Sequence, residues 1–125
     1  MPISTDPRTT EALPSNEPPR ARVRERRLTV VGGAHDGASH VFAAERMVIG
    51  ADPRADFVLA DSTLSKFHCE IRIADGVSYV RDLGSRNGTA VDLVPVLEAP
   101  LRHGSMLTLG RTQLRFEIGA REVEL

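Results

Sequence analysis

From position 27 onward, apolar and polar residues alternate with a period of two, the repeat that puts successive side chains on opposite faces of a strand. Leu28 and Val30 flank Thr29, a glycine-rich turn follows over 32–37, and His40-Val41-Phe42 returns as a hairpin. A third strand is expected over 46–49, ending at Gly50, and a short fourth over 57–59. Segments 68–74 and 77–82 flank Asp75-Gly76, the strongest short hairpin signal in the chain. Further strands are expected over 89–92, 94–96, 105–109 and 112–118, with Gly104 and Gly110-Arg111 as turns. No segment has helical period over a useful length. The pattern predicts an all-β chain, a two-sheet β-sandwich of roughly ten to eleven short strands. The expected core is Leu28, Val30, Phe42, Ile49, Leu59, Ile71, Ile73, Val80, Leu107, Leu109, Leu114 and Phe116.

Residues 1–19 break this pattern: five of the eight prolines lie there, with few large apolar groups to offset ordering entropy. Arg20, Arg22, Arg24, Arg26 and Arg27 follow and read as a solvated lead-in, the other reading being contact with acidic partners or nucleic acid. The expected division is therefore a disordered tail over 1–26, one domain over 27–119 and a short tail over 120–125. With 125 residues the chain holds one domain at most, and with only 4% aromatic residues its core must rest on Val, Leu and Ile. A formal charge of -1 hides an asymmetry: residues 1–27 carry six Arg against four acidic groups, and the rest is mildly acidic. An acidic body argues against a dedicated nucleic-acid binder. Cys69 has no second cysteine to pair with, which favours a reducing cytoplasm. No apolar run approaches the length of a membrane span, and no charged-then-apolar leader is present, so neither a span nor a signal peptide is expected.

The candidate chemistry lies in two short stretches. Asp61-Ser62-Thr63-Leu64-Ser65-Lys66-Phe67-His68 sets a hydroxyl, a cation and an imidazole just before an alternating strand. Gly84-Ser85-Arg86-Asn87-Gly88-Thr89 sets a hydroxyl, a guanidinium and a carboxamide on a glycine-hinged turn. Side by side they would form a polar shelf able to hold a phosphate and an extended peptide. Asn87-Gly88 is also an ordinary two-residue hairpin turn, a reading compatible with the first. Asp61, Ser65 and His68 contain the residue types of a hydrolase triad, but all three come from one segment, whereas triads are assembled from distant parts of a chain. The glycine-rich stretches lack the Lys-Ser/Thr of a nucleotide P-loop. The four histidines have no metal-ligand spacing. No enzyme, metal or cofactor is expected.

Together the two stretches resemble the forkhead-associated (FHA) domain, a phosphothreonine-binding module, over about Leu28 to Ile118. The resemblance implies that Ser65 donates its hydroxyl to the phosphate and that Lys66, Ser85 and Arg86 line the site. It also implies that Asn87 hydrogen-bonds the main chain of the bound peptide. Gly50, His68, Gly84 and Gly88 would support the loops, His68 as a brace. In the family the third strand normally ends in Gly-Arg, and that arginine is a principal phosphate contact. Here Gly50 is followed by Ala51. A charge-assisted hydrogen bond contributes about 1.5–3 kcal/mol, so its loss lowers affinity by roughly ten- to a hundred-fold. Lys66 and Arg54 are the candidates to compensate. A degenerate member, recognising an unphosphorylated partner in an assembly, is the alternative. Some bacterial relatives carry a phosphorylatable threonine pair in a tail like this one, which makes Thr10, with Thr9 beside it, the candidate phosphosite for docking in cis. The Arg- and Pro-rich leader before such a domain further resembles the N-terminal sensory part of sigma-54-dependent transcriptional activators. The expected partner is a phosphothreonine-containing protein.

Overall fold

A computed structural model describes residues 22–124 of the chain. Among the described residues eleven strands follow one another: β1 Arg22–Val30, β2 Ser39–Phe42, β3 Arg46–Gly50, β4 Phe57–Val58, β5 Cys69–Ala74, β6 Val77–Asp82, β7 Thr89–Val91, β8 Val94–Val96, β9 Glu98–Leu101, β10 Met106–Leu109 and β11 Thr112–Glu124. They form a five-stranded sheet, ordered β9-β6-β5-β3-β4, and a six-stranded sheet, ordered β2-β1-β11-β10-β7-β8. The fold is the all-β two-sheet sandwich expected. No described helix is long and apolar enough to cross a membrane.

Alternation explains what lies between the sheets. Met47 and Ile49 of β3 stand opposite Ile71 and Cys69 of β5, and Ile71 stands opposite Val80 of β6. Leu28 and Val30 of β1 sit opposite Phe116 and Leu114 of β11, and Leu114 sits opposite Leu107 of β10. All of these side chains are buried. Of the expected core, only Ile73 lies at its margin. Phe57, Leu64 and Leu101 join the core unforeseen. Burial raises the pKa of the Cys69 thiol, which keeps it protonated and inert.

Three sequence expectations change. Strand β9 was not foreseen, because Pro100 interrupts its strand signal; β9 lies at the edge of its sheet, where a missing N–H is tolerated. The tail expected over 1–26 already belongs to β1 from Arg22, and the tail expected over 120–125 belongs to β11 as far as Glu124. The cause is long-range pairing: past an irregularity between Ile118 and Glu122, β11 continues in register with Arg24, Val23 and Arg22. Arg26, read as solvated, is only 2% exposed. Its Nε donates to Ser78 Oγ (3.0 Å), its Nη2 to the Gly76 carbonyl (2.9 Å) and its Nη1 to the Arg24 carbonyl. Burial, then the charge of Arg24, lowers its pKa, yet a guanidinium stays charged, and its hydrogen bonds tie β1 to the β5–β6 hairpin of the other sheet.

On the outer face of the five-stranded sheet, Glu70 is buried because arginines enclose it. Arg46 Nε lies 2.5 Å and Arg72 Nε 3.3 Å from its carboxylate, with Arg81 at 4.0 Å.

Candidate functional site

The end of β3 and two loops meet at one rim of the sandwich. Gly50 makes the approach possible: a Cβ built there would lie 1.9 Å from the Lys66 carbonyl oxygen. Backbone hydrogen bonds then clamp the first loop against the strand, from Ala51 N–H to the Ser65 carbonyl and from Asp52 N–H to the Lys66 carbonyl, both 3.1 Å. Next along the loop, His68 N–H donates to the Ile49 carbonyl at 2.8 Å.

Asp61 fixes the start of that loop. Its carboxylate accepts the Thr63 N–H (2.8 Å), the Thr63 hydroxyl (2.7 Å) and the Thr112 hydroxyl. Those bonds, the one from Thr112 foremost, hold the Asp61 carboxyl below the usual carboxylate range. Thr63 Oγ1 in turn accepts the Arg111 N–H at 2.9 Å, so the β10–β11 turn is tied to the loop as well. Sequence reasoning did not single out Thr63; the signal was Asp two positions before Thr, the spacing of an Asx turn.

His68 joins the two loops. It is fully buried. Its Nδ1 accepts the Ser65 N–H (3.1 Å), and its Nε2 lies 2.8 Å from the Gly88 carbonyl. An acceptor at Nδ1 and a carbonyl facing Nε2 require the neutral tautomer with its proton on Nε2. Both nitrogens therefore serve backbone groups, and neither is a base for a nucleophile.

Ser65 receives the Arg86 N–H on its hydroxyl oxygen at 2.9 Å. Among the described residues its hydroxyl hydrogen has no acceptor. Asn87 donates from Nδ2 to the Thr63 carbonyl at 2.8 Å, and its carboxamide oxygen and second amide hydrogen have no other partner among the described residues. Arg86 donates one guanidinium hydrogen to the Ser62 carbonyl at 3.0 Å. Lys66, Arg86 and Asn87 are exposed and Ser65 is half-buried.

Ser85 has other work. Its hydroxyl donates to Asp82 at 2.5 Å and accepts the Gly88 N–H at 2.9 Å, so it shapes the loop instead of facing a ligand. Asp82 also takes the N–H groups of Gly84 and Ser85 and the Thr89 hydroxyl. Burial opposes ionisation of Asp82, but these donors outweigh it, and its carboxyl stays below the usual range. Gly84 and Gly88 adopt φ of +76° and +83°, which glycine takes without strain.

Of the two candidate compensating cations, Arg54 is engaged. Its Nε and Nη2 fork onto Asp52 at 2.9 and 3.1 Å, and its guanidinium lies over the Phe67 ring, 5.3 Å from the centroid. Hydrogen bonds from Arg54 lower the Asp52 pKa to about 2. Ala51 packs against the core. Lys66 and Arg86 are the exposed cations nearest Ser65 along the two loops. Thr9 and Thr10 lie outside the described residues.

Residues 29–119 match the family model described as the cytoplasmic domain of the inner membrane component of the type III secretion system. A chain solved in a structural and functional analysis of phosphothreonine-dependent FHA domain interactions superposes with a TM-score of 0.71 at 30% identity, over 78% of this chain and 99% of that one. The chain is a forkhead-associated domain and a member of the family that model describes. Two curated relatives of this FHA domain are bacterial regulators by name. The glycogen accumulation regulator GarA of Mycolicibacterium smegmatis is 34% identical over 94 residues, 75% of this chain and 60% of that protein. The oxoglutarate dehydrogenase inhibitor of Corynebacterium efficiens is 35% identical over 92 residues, 74% of this chain and 65% of that protein. The FHA chain thus spans less than two thirds of the length of either relative.

Proposed function

We propose that this FHA domain is a non-catalytic phosphothreonine-dependent interaction module of bacterial cytoplasmic signalling. The observation that carries the reading is the state of Ser65: its oxygen is held by the Arg86 N–H, while its hydroxyl hydrogen meets no acceptor among the described residues. A phosphate brought to that hydroxyl meets a fixed donor, with Lys66 and Arg86 to balance its charge. Asn87, anchored on the Thr63 carbonyl, offers its remaining amide groups to the main chain of an extended peptide. The relatives' names, one a regulator of glycogen accumulation and one an inhibitor of oxoglutarate dehydrogenase, favour control of an enzyme as the output. A transcriptional role ahead of a sigma-54 activator rests on the leader alone. Phosphorylation of the tail at Thr10 or Thr9 would supply a ligand in cis.

The test is a phosphothreonine peptide library measured beside its dephosphorylated twin by fluorescence anisotropy. Selective binding of the phosphorylated set supports the reading, and equal binding of both removes it. A second reading, phosphate-independent assembly of a larger complex, is favoured by Ala51 at the position of the family's arginine and by the secretion-system family model.

A further inference from the structure

Asn87 and Gly88 form the chain's one Asn-Gly step, and that pair carries a covalent chemistry of its own. With no Cβ beside it, a glycine nitrogen is the backbone group best able to attack the side-chain amide of the residue before it. Hydroxide first removes the Gly88 amide proton, and the nitrogen then closes on Asn87 Cγ. The new C–N bond forms, the Cγ–Nδ2 bond breaks, and Nδ2 leaves as ammonia with a proton from water. A further water opens the cyclic imide to aspartate or isoaspartate. Nothing is oxidised or reduced.

The loop cannot escape this chemistry by changing residues. Non-glycine residues with positive φ in this chain, Asp75, Asp92 and Leu93, stand at +53°, +49° and +70°, whereas Gly88 stands at +83°. The left-handed region open to a residue with a Cβ ends near +70°, so position 88 needs glycine. Position 87 needs a donor: Asn87 Nδ2 ties the second loop to the Thr63 carbonyl of the first, and an ionised carboxylate has no hydrogen to give.

Exposure does not protect the pair, because Asn87 faces water. Hydrogen bonds hold each reacting atom instead. The Gly88 N–H, whose proton must leave first, donates to Ser85 Oγ at 2.9 Å. Ser85 is itself fixed by donating to Asp82 Oδ1 at 2.5 Å. Against the effect of burial, the donors around Asp82 keep its carboxyl below the usual range. An anion one hydroxyl away opposes a second negative charge on the Gly88 nitrogen. The leaving group, Asn87 Nδ2, is anchored at 2.8 Å, and the Gly88 carbonyl lies 2.8 Å from His68 Nε2.

We propose that Asn87 is a latent deamidation site and that Ser85, braced by Asp82, is the guard that keeps it an asparagine. The lifetime of Asn87 is then set by how often this loop opens, not by the Asn-Gly sequence. Conversion would set a carboxylate against the Thr63 carbonyl and undo the tie between the two loops. The proposal goes beyond the phosphothreonine reading and does not depend on it.

The experiment ages the full chain in mildly alkaline buffer, folded and in urea, and follows amide-to-acid conversion at Asn87 by peptide mass spectrometry. Wild type is compared with Ser85→Ala and with Ser85→Thr, which restores the hydroxyl, and thermal unfolding verifies that each variant is folded. Folded wild type is expected to convert at least tenfold more slowly than the same chain in urea. Losing the two hydrogen bonds of the Ser85 hydroxyl is expected to speed conversion of folded Ser85→Ala about ten- to thirtyfold, with Ser85→Thr close to wild type. Should Ser85→Ala fail to fold, amide hydrogen exchange at Gly88 in wild type decides, because base-catalysed exchange passes through the same amide anion. Slow exchange there supports the guard, and exchange at the unfolded rate overturns it. Equal conversion of wild type folded and in urea, or a folded Ser85→Ala that ages like wild type, would also overturn it. No peptide ligand enters the measurement, so either outcome leaves the phosphothreonine reading to its own test.

Discussion

Replacing Gly50 with alanine tests the coupling between fold and site most directly. A Cβ at this position lies 1.9 Å from the Lys66 carbonyl oxygen, 2.7 Å from its carbon and 3.0 Å from Phe67 Cα, whereas ordinary contact begins at 3.4 Å. Every one of these neighbours is backbone, so no side chain can swing aside. Strand end and loop must separate by more than an ångström, and the bonds from Ala51 N–H and Asp52 N–H across the same gap stretch or break. Two backbone hydrogen bonds at about 1 kcal/mol each, with overpacking of about 1–3 kcal/mol, give a loss of about 3–5 kcal/mol. That is a large part of the 5–15 kcal/mol typical of a domain. For a domain of this size Tm is expected to fall by roughly 12–25 °C, read by thermal unfolding. The same shift moves Ser65, so phosphopeptide affinity falls even at temperatures where the variant is folded. Gly84→Ala is the control. Gly84 has φ of +76° but nothing within 4 Å of a built Cβ, so it incurs only left-handed strain, about 1–2 kcal/mol. If Gly50→Ala were no more destabilising than Gly84→Ala, or bound the phosphopeptide like wild type, the clamp would not be what presents Ser65.

Further outcomes follow from the same geometry. Ser65→Ala removes the free hydroxyl and is expected to weaken phosphopeptide binding about ten- to a hundred-fold, measured by anisotropy, while binding to the dephosphorylated peptide stays unchanged. Ala51→Arg supplies a cation at the end of β3 and is expected to raise phosphopeptide affinity roughly tenfold; a rise that is equal for the dephosphorylated peptide would deny a phosphate site. The Asp61 carboxyl is held below its ordinary range, so its contribution to stability is present above the unfolded pKa and is lost as pH falls through the folded one. Urea midpoints of wild type should therefore decline below about pH 4 more steeply than those of Asp61→Asn, and parallel curves would refute the role given to its hydrogen bonds. Leu93→Gly is expected to stabilise the chain by about 1 kcal/mol in urea titration, because the left-handed strain disappears.

Much of the molecule was legible without coordinates because its signals are local. Alternation around Leu28, Ile71 and Leu114 placed strands and most of the core, and Asp75-Gly76 marked its hairpin. Ser65, His68 and Asn87 stood out because their spacing within two short loops is itself the signal. What escaped notice depends on partners far away in the chain. Strand β9 exists despite Pro100 because the edge of β6 accepts it. Arg26 is buried because Ser78 and Gly76, 52 and 50 positions distant, supply its acceptors. Ser85 looked like a ligand contact until Asp82 and Gly88 were seen to use both capacities of its hydroxyl.

The order of residues alone determined a β-sandwich and the two loops that carry polar groups, since period-two patterning and turn chemistry act over a few positions. Only the folded chain decided which of those groups remain free. Hydrogen-bond capacity is finite, and the partners that consume it come from other strands. By that measure Ser65, among the described residues, keeps a hydrogen to give, Ser85 and His68 do not, and Arg54 is spent on Asp52.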